Sequence, residues 1–336
     1  MYGYEKNEIL KRVGDISQIC RIERCAYVEG PEKGVEIFNI KTGSGFNFTV
    51  SPDRGLDIPF ADYKGTPLCW VSGTGIRHPH IYEPHGIGWL RGFHGGLLVT
   101  CGMTQVGVPS EGEGLHGRIS YEQARNLYSK AFWEDERYIL KVGGTVRESR
   151  LFGYSLELNR EIETEMFSKK IVVRDVVKNI GARDAPHMML YHINLGFPVV
   201  SEKTEIVIKS DKVEPRDEES AKGIERWNIF EEPKRGFIEH VFYHTVREPS
   251  CYVINKSIGI GIYIKYSKET LPVLVEWKMC GEKEYVLGIE PANCRVEGRE
   301  KERNRGTLKF LKPEDSVEYS LEIGVLDMDE IEDLNV

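Results

Sequence analysis

The sequence predicts an all-β fold, a large antiparallel β-sandwich, on three observations. Apolar and polar residues alternate along many segments, helical periodicity is scarce, and Gly, Pro, Asn and Asp turns separate the alternating segments. Successive side chains of a strand point to opposite faces, so period-two alternation marks one face on a core and one towards water.

Taken in chain order, "EKNEILKRV" near the N-terminus reads as one short helix without a sustained apolar stripe. "GYSLELNREIETE" and "KKIVVRDVVKNI" read as long strands. In "MMLYHINLGFP", Met188, Leu190, His192 and Asn194 are expected on one face, ahead of the break at Gly196 and Pro198. Residues 211–235 are the most polar and least regular part and read as a surface excursion or lid between strands. "IGIGIYIK" alternates Ile258, Ile260, Ile262 and Ile264 with residues that include two glycines. "LPVLVEWKM" follows as another strand. "SVEYSLEIGV" alternates Val317, Tyr319, Leu321, Ile323 and Val325 with Glu318, Ser320, Glu322 and Gly324, and "MDEIEDL" is a short terminal helix. No fixed-period repeat or low-complexity linker divides the chain, so a single domain over 1–336 is expected.

Composition narrows the partners. The net charge is -8, from 45 basic and 53 acidic residues without a basic block, which excludes nucleic acid and anionic membrane as main partners. No apolar run is long enough to span a bilayer, and "MYGYEKNEILKRVGD" has charges where a signal peptide needs an apolar core. The seven cysteines are spread without a CxxC pair and read as free thiols of a reducing compartment. A cytoplasmic protein is expected; a homo-oligomer is compatible with the sequence.

Five stretches carry candidate chemistry. "EGEGLHGRIS" puts His116 between glycines, with Arg118 after it and Glu111 and Glu113 before it. It is either a surface turn or a loop that presents imidazole and guanidinium to a ligand. "SPDRGLDIPF" is either a turn with a local ion pair at Asp53 and Arg54 or a ligand contact by Arg54 or Asp57. "GIRHPHIYEPHGIGWLRGFHGG" crowds His78, His80, Glu83 and His85 as metal ligands often are, but the spacing of a known metal scaffold is missing and no metal is assigned. In the same stretch Trp89 offers an indole face to sugar C–H groups, or to the core, and Arg91 a planar fork to hydroxyls. His192 and Asn194 share a strand face, as either satisfied core groups or site residues. Glu290 of "YVLGIEPANC" ends an apolar strand before Pro291, an expensive place for a carboxylate unless it is paired or used, and one where burial raises its pKa towards that of a useful base. No GxSxG elbow, P-loop or strand–GxGxxG–helix context is present, which leaves carboxylate and imidazole on a β scaffold: an acid–base kit with no cofactor.

The order "GWLRGF", "GLHGR", "YHINLG" and "GIEPANC", with "GSGFNFTVSPDRGLDI" and "GGLLVTCGM", resembles the aldose 1-epimerase (galactose mutarotase-like) superfamily, and most closely its bacterial aldose 1-epimerase-like branch of unknown function. The likeness covers nearly the whole chain. It implies a large antiparallel β-sandwich with a carbohydrate cleft on one sheet, a small-molecule sugar as partner, and no cofactor. Carried over by motif, it implies Glu290 as the base on the anomeric hydroxyl, His192 as the acid on the ring oxygen, and His116 and Arg91 as groups that hold the sugar. Glu239 and His240 of "EHVF" fall near a further sugar contact, with Glu for Asp and altered spacing. His94, in "FHGGLLVT", is a second choice for the histidine role. Arg118 after "HG" departs from the family pattern, and Arg54, Arg91 and Arg118 together point to an acidic sugar: a uronate, a sulfonated sugar or a sugar phosphate. Glu111 and Glu113 are expected as solvated loop residues. The expected activity is mutarotation. The rivals are a non-catalytic sugar-binding protein on the same fold, an epimerase or isomerase acting at another carbon, and a metal-dependent isomerase built on His78 to His85.

Overall fold

The computed structural model describes residues 4–334. The expected fold is present: a five-stranded antiparallel sheet over residues 21–67 and a thirteen-stranded sheet built from the remainder. The segments chosen for alternation become the strands Ser155–Glu165, Lys170–Asn179, Ala185–Gly196, Ile260–Tyr266, Val273–Gly281 and Ser316–Asp327. Ile258 lies outside its strand, in the preceding turn, and is exposed. The two expected helices are short, Lys6–Leu10 and Met328–Glu332, and two more form at Glu218–Ala221 and at Arg299–Arg305, the latter directly after Gly298.

The large sheet folds over on itself. Its central strand His240–Asn255 pairs through its first half with Val273–Gly281 and through its second half with Ile260–Tyr266. Side chains from distant strands thereby share one core: Met189, Tyr191 and Ile193 lie in the same apolar cluster as Leu158, Val173 and Leu321. Phe38, Phe48 and Leu56 of the small sheet join it. A buried polar cross-brace ties the layers. Arg160 donates to Asp175 at 2.9 and 2.6 Å and to Thr100 Oγ1 at 2.8 Å, and Tyr191 donates to Asp175 at 2.7 Å. Asp57 belongs to this brace rather than to a ligand site: its Oδ1 accepts from both the amide and the hydroxyl of Thr100.

The residues from 211 to 235 are less irregular than expected. The strand Glu205–Pro215 runs into them and pairs along His240–Asn255. Only the part after it forms short helical turns, at Glu218–Ala221 and Ile224–Arg226. Six of the seven cysteines are buried and all seven are free, with Cys25 exposed. No helix among the described residues is long and apolar enough to cross a membrane.

Candidate active site

Sheet register assembles the site. Residues directly opposite on paired strands lie side by side on one face, and the next residue of that face is two positions on. The pairings Leu190↔Ala292 and Ile193↔Ile289 put His192 across from Glu290, and Val275↔Glu290, Tyr243↔Val275 and His192↔Val99 extend the row both ways. The neighbouring row runs Val241, Trp277, Gly288, Asn194. Arg216 ends this row, its amide donating to Val241 O at 2.9 Å where the strand Glu205–Pro215 finishes. Glu239, just before its own strand, shares the face of Val241.

Two loops close the space above these rows. The turn Gly88–Gly92 brings in Trp89, whose indole donates to Ser120 Oγ at 3.3 Å and stacks on Phe93 with ring centres 4.6 Å apart. The loop of "EGEGLHGRIS" brings in His116, whose ring lies 4.8 Å from that of Trp89 and 6.0 Å from that of His192. His116 has φ +56° and Gly117 φ +73°, and a Cβ on Gly117 would sit 2.3 Å from Gly102 O. The glycine is there because two backbones pass too closely for a side chain. His116 is placed by its amide donating to Gly107 O at 3.0 Å and by Gly107 N–H donating to its Nδ1 at 3.4 Å.

The resulting cleft holds about 680 Å³ of open space, with Glu290, His192, His116, Arg216, Glu239, Trp89 and Trp277 on its walls. His192 Nε2 lies 3.2 Å from Glu290 Oε1, and both side chains are almost wholly buried. Burial raises the Glu290 carboxyl well above the usual carboxylate range, helped by the negative charge of Glu239 and opposed by Arg216. Burial lowers the His192 imidazole well below its ordinary value, with His116 adding to the shift. His116 is pushed down to about 4 by loss of water and then by the positive charge of Arg216. Burial thus disfavours charge on all three side chains, and Glu290 Oε1 and His192 Nδ1 are buried without a hydrogen-bond partner among the described residues, so both are open to a ligand. Glycine makes this geometry possible: a Cβ on Gly288 would meet Glu290 Oε1 at 2.6 Å.

The structure brings Glu290, His192, His116, Trp89 and Glu239 together. It places the other expected sugar contacts elsewhere. Arg54 is 1% exposed and donates to three backbone carbonyls, of Ser120, Arg77 and Gly92, while lying over the ring of Tyr121. Its guanidinium pins the loops beneath the site. Arg91 points to solvent and pairs with Glu83 at 3.1 Å. Arg118 pairs with Glu113 at 3.3 Å, outside the cleft lining. Glu113 is buried and also accepts from Tyr154, so it is not the solvated loop residue the sequence suggested, whereas Glu111 is exposed in its loop and pairs with Arg299 and Arg303. His240 pairs with Lys278 in register and so faces the opposite side of the sheet from Glu239, against Gly223 and Phe237. Asn194 is fully buried, behind the cleft, donating to the carbonyls of Gly96 and His192. His94 is buried with neither ring nitrogen partnered. His78 and His80 lie ring to ring, but among the described residues no three His, Cys, Asp or Glu side chains gather as a metal set.

Sequence reasoning missed Arg216, Trp277, Phe93 and Gly288. The alternation of "LPVLVEWKM" puts Trp277 on the face of Val275, which was a usable signal. Arg216 had none, since it lay in the segment read as an excursion.

Residues 32–325 match a family described as a domain of unknown function, DUF4432. No curated protein matches the chain. Among solved structures, a protein of Klebsiella pneumoniae named provisionally as an aldose 1-epimerase is 25% identical, with a TM-score of 0.87 over 93% of this chain and 85% of its own. A galactose mutarotase-like protein of Clostridium acetobutylicum is 14% identical, with a TM-score of 0.66 over 93% of this chain and 100% of its own. A galactose mutarotase related enzyme of Lactobacillus acidophilus is 9% identical, with a TM-score of 0.55 over 85% of this chain and 96% of its own. At 14% and 9% identity the likeness is one of fold.

Proposed function

We propose that this chain, which belongs to the DUF4432 family, is an aldose 1-epimerase that interconverts sugar anomers by acid–base ring opening. The observation that carries the reading is the pair Glu290 and His192, 3.2 Å apart and buried on the floor of an aromatic cleft. Ring opening removes a proton from the C1 hydroxyl and delivers one to the ring oxygen. A pair that holds one proton between two sites can do both at once. Glu290 as carboxylate takes the hydroxyl proton while His192 as imidazolium gives its own to the ring oxygen. The C1–ring-oxygen bond breaks and the aldehyde forms, leaving carboxylic acid and neutral imidazole. After rotation about C1–C2 the same transfers run backwards and close the other anomer.

Burial favours the neutral form of both groups, which is their form at the open-chain stage. The ionised pair that starts the reaction is the form burial disfavours, and hydrogen bonds from the bound sugar's hydroxyls to the carboxylate would favour it. His116 accepts at Nδ1 from Gly107, which leaves Nε2 as the donor towards a sugar oxygen. Trp277 offers an apolar face to sugar C–H groups, while Trp89, 2% exposed and stacked on Phe93, packs beneath the cleft.

The charge of the cleft favours a neutral sugar over the acidic one suggested by Arg54, Arg91 and Arg118, none of which lines it. Arg216, the one Lys or Arg on its walls among the described residues, already pairs with Asp217 at 2.7 Å and Glu239 at 3.0 Å.

The test is proton NMR of anomeric exchange in D₂O for neutral and acidic sugars, with wild type and Glu290→Gln. Loss of one proton carrier should lower the catalysed rate on the order of 10²- to 10⁴-fold while sugar still binds. Equal rates in the two proteins remove Glu290 from the base role. Binding without acceleration in wild type makes the protein a sugar binder, and deuterium entering a C–H position makes it an epimerase at another carbon.

A further inference from the structure

The catalytic cleft does not end at Trp277. A second cavity, with about 910 Å³ of open space, adjoins it and shares Leu90, Phe93, Glu239 and Trp277 as a common wall. Its far side is Trp70, the turn from Ser72 to Thr74, Met279 and Glu284. Trp70 and Trp277 stand with ring centres 6.1 Å apart and planes at 75°, both only partly buried. Half-open indoles beside a cavity are apolar platforms that bulk water serves poorly.

Trp70 is built into place. Its amide donates to Asn194 O at 3.0 Å and its carbonyl accepts from Gly96 N at 2.7 Å. A Cβ on Gly95 would meet Trp70 Cε3 at 2.8 Å, and a Cβ on Gly196 would meet Trp70 Cα at 2.7 Å. Two glycines thus make room for this one residue. Polar groups stand at the edges. Glu239 sits where the two cavities join, fixed by the indole of Trp277 at 2.7 Å and by Arg216. The Glu284 carboxylate makes no hydrogen bond or ion pair among the described residues. No Lys or Arg lines this cavity among the described residues.

Aromatic faces, acceptor oxygens at the rim and no cation describe a site for a neutral polyhydroxylated ring. We propose that the second cavity is a sugar subsite, so that the cleft takes the reducing end of a neutral disaccharide or longer oligosaccharide. The reducing sugar lies against Glu290 and His192, and its glycosidically linked neighbour lies on the apolar platform that Trp70 and Trp277 form together at the wall of the second cavity. The placement of the reducing end rests on the epimerase reading; the second subsite does not.

Calorimetric titration tests it with glucose, galactose and mannose against their 1→3-, 1→4- and 1→6-linked homodisaccharides. At least one disaccharide should bind wild type about tenfold or more tightly than its own monosaccharide. Trp70→Ala removes the platform and Met279→Trp fills the cavity, and each should bring that ratio to within about twofold of one. Two variants are used because Trp70 also packs against Gly196. Disaccharides that bind wild type no better than monosaccharides overturn the subsite, as does a ratio that survives in a folded Met279→Trp protein. No binding by any sugar overturns both the subsite and the epimerase reading. Tighter disaccharide binding without faster anomeric exchange upholds the subsite and sinks the epimerase alone.

Discussion

Gly288→Ala should separate catalysis from folding. Gly288 sits two residues before Glu290 on the same sheet face, and the carboxylate occupies the space a side chain there would take. The added Cβ would lie 2.6 Å from Glu290 Oε1, with Trp277 Cβ at 3.0 Å and Cε3 at 3.2 Å. An ordinary contact needs roughly 1 Å more than the first of these, so the carboxylate must swing aside. For the fold this is cheap, because the obstacle is the far end of a side chain with free torsions. Loss of glycine's freedom in the unfolded chain stabilises by about 0.5–1 kcal/mol and crowding of Trp277 costs about 1–3 kcal/mol, so stability should fall by no more than about 2.5 kcal/mol. For the reaction it is expensive. Oε1 stands 3.2 Å from His192 Nε2, and a displacement of about 1 Å at a reacting group is worth around 10²-fold, or about 2.7 kcal/mol of barrier. Anomeric exchange by NMR, with Glu290→Gln as the floor and a melting curve beside it, reads both effects. A folded Gly288→Ala protein that exchanges anomers at the wild-type rate would refute the claim that this carboxylate position drives the chemistry.

Two further outcomes follow from groups outside the cleft. Arg54→Met strips three buried carbonyls of their donor and should destabilise the protein by at least about 3 kcal/mol in urea unfolding; unchanged stability with a raised KM would return Arg54 to the role of sugar contact. Glu148 is buried beneath Met103 and Thr104 and its carboxyl is raised to about 7, chiefly by burial, with hydrogen bonds from Met103 and Thr104 opposing and Glu113 and Glu122 assisting. Its folded pKa lies above its unfolded value, so its contribution is fully present below about pH 4.5 and is lost as pH rises through 7, a change of about 3 kcal/mol. Glu148→Gln should flatten that part of the stability-versus-pH curve, and a curve that keeps its wild-type slope between pH 5 and 8 would show that another group carries it.

The fold was legible because period two is a local property. Each strand announces its faces by itself, and Val317 to Val325 or Met188 to Asn194 need no knowledge of their neighbours to be sorted into inside and outside. Glu290 and His192 were legible for a related reason: a polar side chain on an apolar strand face stands out against its own segment. The arginines were not legible in this way. Arg54, Arg91 and Arg118 stand close to site motifs in sequence, but a guanidinium reaches far in several directions, and what it meets is set by loops that close from elsewhere. Arg54 finds carbonyls from residues 77, 92 and 120, Arg91 finds Glu83, and Arg118 finds Glu113. His240 failed by a single residue of register, since the alternation that sends Glu239 to the cleft sends its neighbour to the other face. Arg216 became visible only once Glu205–Pro215 was seen to pair with His240–Asn255 and to end beside Val241.

These differences follow a division within the site. Glu290 and His192, the proton carriers we propose, come from mid-sheet positions, where both neighbours of each strand fix the backbone and a one-residue slip would turn the side chain to the opposite face. The other groups along the two cavities, Trp70, His116, Arg216 and Glu239, come from loops and strand ends. Chemistry that tolerates little displacement is thus held by register, while the shape of the ligand is set by segments that can change without disturbing it. On the proposed reading, the motifs around Glu290 and His192 carry the reaction and say little about the substrate. The substrate is read from what lines the rest of the cleft. Here that is two indoles, a carboxylate at the junction and an arginine already paired twice, and this is why we propose a neutral sugar rather than an anion.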